Sequence, residues 1–219
     1  MQRSELPAEF IAQLEALASS YLAQSDPYLQ SGFGGGMARW RAEREPILEA
    51  VREQSADFLD IGCANGLLLE SLVEWAAPGR YITPFGVDQS AGLIALARRR
   101  LPRYAANFFV ANAWSWCPPR RFAYVYALSD CVPSDYLQEF IRHLLDHYVQ
   151  PGGRLILGSY GSRSRGTPPL APVALLAEAG LLAAGTACGG QNRIASFAWT
   201  DKETTHALAR SGCVRSADP

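Results

Sequence analysis

Lysine is nearly missing from this chain of 219 residues: of its 20 basic side chains, only Lys202 is lysine and the rest are arginine. That scarcity excludes several chemistries. A phosphate-binding P-loop needs Gly-Lys-Ser/Thr, a Schiff-base enzyme needs a core lysine, and a short-chain dehydrogenase needs Tyr-x-x-x-Lys. Lys202 follows Asp201 and stands four residues after Ala198, so it meets none of these patterns. An excess of one charge is also lacking. With 20 basic against 21 acidic side chains and a net charge of -1, no global field draws the chain to phosphate backbones or anionic lipid. The five cysteines form no CxxC pair, and the three histidines include no set at zinc spacing. They read as free thiols of a reducing compartment. The start, MQRSELPAEF, carries no apolar signal core, and the most apolar window, LAPVALLAEAGLLAA, is broken by Pro172 and Glu178. A soluble cytoplasmic protein with no membrane partner is expected.

What is present is a core: 48% apolar and 11% aromatic residues suffice for a globular domain. Phe10, Leu14, Leu17 and Tyr21 repeat at helical spacing, predicting an amphipathic cap helix. SDPYLQSGFGGGMARW then reads as a flexible loop in which Tyr28, Phe33 and Trp40 flank the run Gly34-Gly35-Gly36. A second helix is expected around Pro46 and ILEAV. From Asp57 onward, apolar runs alternate with helical patterns, which argues for a parallel sheet with helices on both faces. RIASFAW closes it as an antiparallel strand. Pro84 confines the regular part of the second strand to Phe85–Asp88. The organisation expected is a cap and lid over residues 1–50, a catalytic domain over 51–205 and a tail over 206–219.

The segment FLDIGCANG carries most of the chemistry. A strand ends in Asp60, Gly62 makes a tight turn, and Gly66 opens a helix whose N-terminus turns free N–H groups toward a ligand. After one more strand comes Asp88 in FGVDQS, placed to accept hydrogen bonds from two ribose hydroxyls. A dinucleotide fingerprint needs G-x-G-x-x-G, but here the order is D-x-G-x-A-x-G. The Asp60 carboxylate repels a pyrophosphate and favours a cation, which selects S-adenosylmethionine, a sulfonium without phosphate.

Here the sequence resembles the class I S-adenosylmethionine-dependent methyltransferases, from about Phe58 to Trp199. Asp60, Gly62 and Gly66 match the family's first motif, with Ala64 where its central glycine stands. Asp88, with Gln89 beside it, matches the ribose-binding acid. Ala111-Asn112-Ala113 occupies the place of an adenine-binding Gly-Asp-Ala, and Pro151-Gly152-Gly153 matches the turn before the fifth strand. The fourth strand begins Phe122-Ala123 where the family has Phe-Asp. The resemblance implies a doubly wound, Rossmann-like α/β sheet of seven mostly parallel strands with the last one antiparallel. It also implies S-adenosylmethionine bound by Asp60, Gly62, Ala64, Gly66, Asp88, Gln89, Asn112, Ala113 and Leu128.

The methyl acceptor belongs beyond the carboxyl end of the fourth strand, where Asp130 is the one titratable residue and can deprotonate a hydroxyl or ammonium. Its alternative is to cap the following helix. Tyr28, Phe33 and Trp40 are candidates for a lid over a small-molecule acceptor. LSDCVP is not the Asn/Asp-Pro-Pro-Tyr/Phe of amino-group methyltransferases, and His143 with His147 reads as a solvated helix face. The run Arg98, Arg99, Arg100 with Arg103, and the pairs Arg120-Arg121 and Arg163 with Arg165, leave an RNA-directed enzyme as the first rival. A cofactor-binding interaction protein without turnover is the second. Oligomeric state is not written in the sequence.

Overall fold

The computed structural model describes residues 5–203. Seven strands form one sheet in the order β3-β2-β1-β4-β5-β7-β6. They are β1 (Ser55–Ile61), β2 (Tyr81–Asp88), β3 (Phe108–Val110), β4 (Phe122–Leu128), β5 (Val149–Tyr160), β6 (Gly185–Gly189) and β7 (Ala195–Asp201). Only β7 is reversed, antiparallel to both β5 and β6. Helices α3 (Leu67–Trp75), α4 (Ala91–Arg100), α5 (Ser134–His143) and α6 (Pro172–Glu178) cover the sheet, and α1 (Ala8–Leu22) and α2 (Gly36–Arg44) precede it.

The central strands are apolar on both sides because both sides are covered. Side chains alternate by the two-residue period: Phe58, Tyr124, Tyr126 and Ile156 join one core cluster, while Leu59, Val125, Leu155 and Leu157 join the other. Arg154, buried on β5, ties this sheet to the segment before it, donating to Asp201 at 2.7 Å and to the Ala50 carbonyl at 2.6 Å.

Four sequence expectations change. β2 runs through Pro84, which pairs in register with Phe58. Its carbonyl accepts from the Asn107 side chain at 3.0 Å, on the β3 side, where ladder pairing begins only at Gly86. The N and C=O of one residue in a parallel strand face the same way, so the missing N–H lies on an unpaired edge. Pro151-Gly152-Gly153 lies inside β5, where the register with β4 shifts between Phe122 and Tyr124. α2 begins at Gly36, within the stretch read as loop, and the ILEAV segment is a 3₁₀ turn over Glu45–Ala50. Finally, His143 is buried at the end of α5, which continues into a π-helical turn at Leu144–Tyr148. The Lys202 ammonium donates to the carbonyls of Leu145, Asp146 and Val149 at 2.8–3.0 Å, using its three donors on the end of that turn.

The first fifty residues are not a separate unit. Phe33, Trp40, Ile47 and Ala50 share one buried cluster with Phe58 of the sheet. α1 has no buried residue. It rests in two notches: Leu22 fills the space over Gly92, and the Tyr21 hydroxyl sits where Gly32 has no Cβ. The 206–219 tail lies outside the described residues.

Candidate active site

A cavity of about 230 Å³ opens at the carboxyl ends of β1, β2 and β4. The β1 turn gives it Gly62 and Ala64; the end of β2 gives Asp88 and Gln89. Asn112, Ala113 and Trp114 come from the loop after β3, and Leu128, Asp130 and Cys131 from the end of β4. Leu14, Leu17 and Tyr21 of α1 roof it.

The β1 turn depends on its backbone. Gly62 has φ +75°, and its N–H donates to the Val87 carbonyl at 2.8 Å, pinning the turn to β2. A Cβ there would meet no atom nearer than 3.7 Å, so the position needs glycine for its conformation. Gly66, with φ +76°, answers a different demand. Its Cβ would lie 3.0 Å from the Ala97 Cβ, so this glycine lets α3 and α4 approach, and it does not line the cavity. Between them Ala64 adopts φ +47°, a conformation L-residues disfavour. Its N–H donates to Asp88 Oδ2 at 3.0 Å while Ser90 N–H donates to Oδ1 at 2.9 Å. Each oxygen of Asp88 thereby retains a lone pair for a ligand hydroxyl. Ser90 in turn caps α4 through Leu93 N–H.

Gln89 accepts from Asn112 Nδ2 at 3.3 Å, and its own Nε2 is a buried donor with no partner among the described residues. Asn112 Oδ1 accepts from Trp114 N–H at 2.9 Å, so the amide expected to read adenine also holds its own loop in shape. Asp60 is 3% exposed and stands behind the wall, outside the lining. Burial, then the charge of Asp88, raises its carboxyl well above the ordinary range. Burial also raises Asp88, more than its two backbone bonds lower it. Asp130 presents its carboxylate to the cavity. The protein volume around it raises its carboxyl too. It does not cap α5, whose first turn follows Pro133 with no side-chain cap.

The expected lid is displaced. Phe33 and Trp40 are 4% and 3% exposed, their rings 5.3 Å apart at 70°, and Trp40 Nε1 donates to Ser71 at 2.9 Å. With Tyr28 they pack on the core, and none of the three lines the cavity. Starting α2 at Gly36 carries Trp40 inward one turn later, and the roof passes to α1. The guanidinium of Arg44 fills the box made by Phe33, Trp40 and Tyr160, 3.8–4.5 Å from their ring centres.

Asn65 went unnoticed in the sequence. It is fully buried and uses its whole amide: Oδ1 accepts from the Ser31 hydroxyl at 2.6 Å and from Leu67 N–H at 3.1 Å. Nδ2 donates to the Pro27 carbonyl at 2.9 Å and to Gln30 Oε1 at 3.2 Å. One side chain thus fastens the β1–α3 turn to the segment beneath α1. An asparagine inside a glycine-bearing turn was the available signal.

The donor set fits a nucleoside with a cationic tail. An orphan donor and a carboxylate with free lone pairs stand at the end of β2, and among the described residues the cavity is lined by carboxylates and by no Arg, Lys or His. Among the described residues no group of His, Cys, Asp and Glu is arranged to hold a metal ion, and no helix is long and apolar enough to cross a membrane.

Residues 58–153 match a family described as a methyltransferase domain. The chain is 27% identical over 150 residues to the trans-aconitate 2-methyltransferase of Azoarcus sp. (strain BH72), a match covering 62% of this chain and 58% of that protein's length. Its fold is similar to that of the N-methyltransferase NodS from Bradyrhizobium japonicum WM9, solved with S-adenosylhomocysteine, at TM-score 0.64 and 19% identity, covering 88% of this chain and 98% of that one. It is also similar to the 1,6-didemethyltoxoflavin-N1-methyltransferase of Burkholderia thailandensis, at TM-score 0.65, 16% identity and 93% of both chains.

Proposed function

We propose that the chain, whose residues 58–153 match a methyltransferase domain, is a class I S-adenosylmethionine-dependent methyltransferase that methylates a nitrogen or oxygen atom of a small molecule. The observation that carries this reading is the cavity at the ends of β1, β2 and β4, where Asp88 and the orphan Gln89 Nε2 face a space with no basic side chain among the described residues. Asp88 would hold the ribose, Gln89 and the 112–113 loop the adenine, and the Gly62 turn with Leu128 the amino-acid tail. Asp60 would favour the positive end from behind the wall. When bound, the cofactor supplies a methyl group on a sulfonium that is already a good leaving group. The chain's own contribution is then to orient the acceptor and exclude water, for which effective-molarity gains reach about 7–11 kcal/mol.

The cavity, at about 230 Å³, is below the roughly 300–1,000 Å³ usual for small-molecule sites. α1, with no buried residue, is the element that yields on entry. Small-molecule acceptors are favoured by the names of the relatives, trans-aconitate and 1,6-didemethyltoxoflavin.

The test is thermal unfolding with S-adenosylmethionine, S-adenosylhomocysteine, NAD and ATP. Saturation to a hundred times Kd adds about 2.7 kcal/mol, so only the first two should raise the melting temperature. Stabilisation by NAD alone would refute the assignment. Labelled cofactor, incubated with small-molecule and RNA fractions in parallel, should mark the former. Label in RNA alone would favour the nucleic-acid reading, and none in either would favour a binding protein.

A further inference from the structure

Within that reading of the site, we infer that the methyl acceptor is an amine, which enters as an ammonium and gives its proton to Asp130. The cavity is charged on one side only. Asp88 and Asp130 line it and Asp60 stands behind it, whereas among the described residues no lining residue is basic. The cofactor brings one net positive charge, which leaves the cavity negative, so a carboxylate or phosphate acceptor would be desolvated against like charge without a counter-ion.

Neighbouring arginines do not supply that counter-ion. Arg39 is held by Glu43 at 2.8 Å, Arg44 by its aromatic box with Glu43 at 3.7 Å, and Arg100 by Glu70 at 2.6 Å. The two lining carboxylates are also in different states. Asp88 has both oxygens held by backbone N–H groups. Among the described residues Asp130 takes support only from its own backbone N–H, and the helix after it starts without using it as a cap. Its oxygens are open to an incoming donor. A charged donor forms the stronger bond with a carboxylate, which favours an ammonium over a neutral hydroxyl.

The step balances without another reactant. The ammonium N–H proton passes to a carboxylate oxygen of Asp130, leaving a nitrogen lone pair. That pair forms the C–N bond while the methyl–sulfur bond breaks, and its electrons go to sulfur as a neutral thioether. The product is a methylated ammonium, and the proton on Asp130 leaves to solvent, to which this residue is exposed. Asp130 is exposed to solvent on one side, and the partial desolvation that raises its carboxyl also makes it the better proton acceptor.

The test titrates protein loaded with S-adenosylhomocysteine at pH 7 with three probes of one shape: benzylamine, benzyl alcohol and benzoate. Benzylamine should bind at least tenfold more tightly than either of the others. Asp130→Asn should bring it to the level of the alcohol, and Asp130→Glu should restore the preference. S-adenosylhomocysteine affinity, measured in each variant, separates loss of the charge from loss of the fold. Equal or tighter binding of benzoate, undetectable binding of benzylamine, or a preference that survives Asp130→Asn would overturn the inference. Failure of the unmodified protein to bind S-adenosylhomocysteine would instead overturn the assignment of the site.

Discussion

Replacing Asn65 by alanine deletes one amide and four hydrogen bonds, three of them to residues more than thirty positions away. Gln30 can turn to water, and the Ser31 hydroxyl retains a bond to the Pro27 carbonyl at 3.3 Å. Leu67 N–H, at the start of α3, has no such alternative, and Pro27 loses its better donor. A buried group left without a partner costs about 1–3 kcal/mol, so the two should cost about 2–4 kcal/mol after local relaxation. That is a large share of the roughly 5–15 kcal/mol of a typical domain. Asn65→Asp should be worse at pH 7, because it keeps both acceptor bonds but sets a buried charge against the Pro27 carbonyl. Its folded pKa would lie above the unfolded value, so stability should recover as pH falls through the folded pKa. Urea unfolding gives the magnitude, and amide exchange at Ser31, Gly32 and Phe33, whose N–H groups close the 28–33 turn, gives the location. A loss under about 1 kcal/mol with unchanged protection of that turn would refute the idea that Asn65 fastens the segment beneath α1.

Ala64→Gly should stabilise the protein by about 0.5–1 kcal/mol in denaturant melts, because relief of the left-handed φ exceeds the added unfolded-state entropy. Asp88→Ala should weaken S-adenosylmethionine binding about tenfold or more by calorimetry, each charge-assisted bond contributing about 1.5–3 kcal/mol. It should also lower the melting temperature, since Ala64 and Ser90 N–H lose their acceptor. Asp60 has a folded pKa above its unfolded value, so the native state binds the extra proton and its contribution to stability declines as pH rises through that interval. A cationic ligand should drive this proton off. Calorimetry in buffers of different ionisation enthalpy should therefore show proton release on binding S-adenosylmethionine, and proton uptake would contradict the placement of Asp60.

The parts of this fold legible in sequence are those where one residue type answers one local demand. Gly62 was readable because a strand-to-helix turn with positive φ accepts little else, and Asp88 because a carboxylate ending the next parallel strand arrives beside that turn. The alternation of apolar runs gave the parallel sheet for the same reason. Residues whose roles are set by distant partners were not legible. Phe33 and Trp40 read as a lid beside glycines, yet they close a box around Arg44 whose third wall is Tyr160, far along the chain. Gly66 read as a ligand contact, although its constraint is Ala97 on another helix. α1 was visible as an amphipathic helix, but what lies under its apolar face is a cavity, which periodicity alone does not distinguish from core.

The scarcity of lysine turns Lys202 into a built-in reporter. Its three N–H donors sit on three carbonyls at the end of the Leu144–Tyr148 turn, and burial lowers its affinity for the proton. Lys202 is partly exposed, but its ammonium is engaged by these carbonyls, so an amine-reactive reagent should attack it faster once the end of β7 lifts from that turn. No other lysine competes for the label. The rate of modification at this one position, followed by mass spectrometry against denaturant, would therefore time a single local opening event at the edge of the β5–β7 pair.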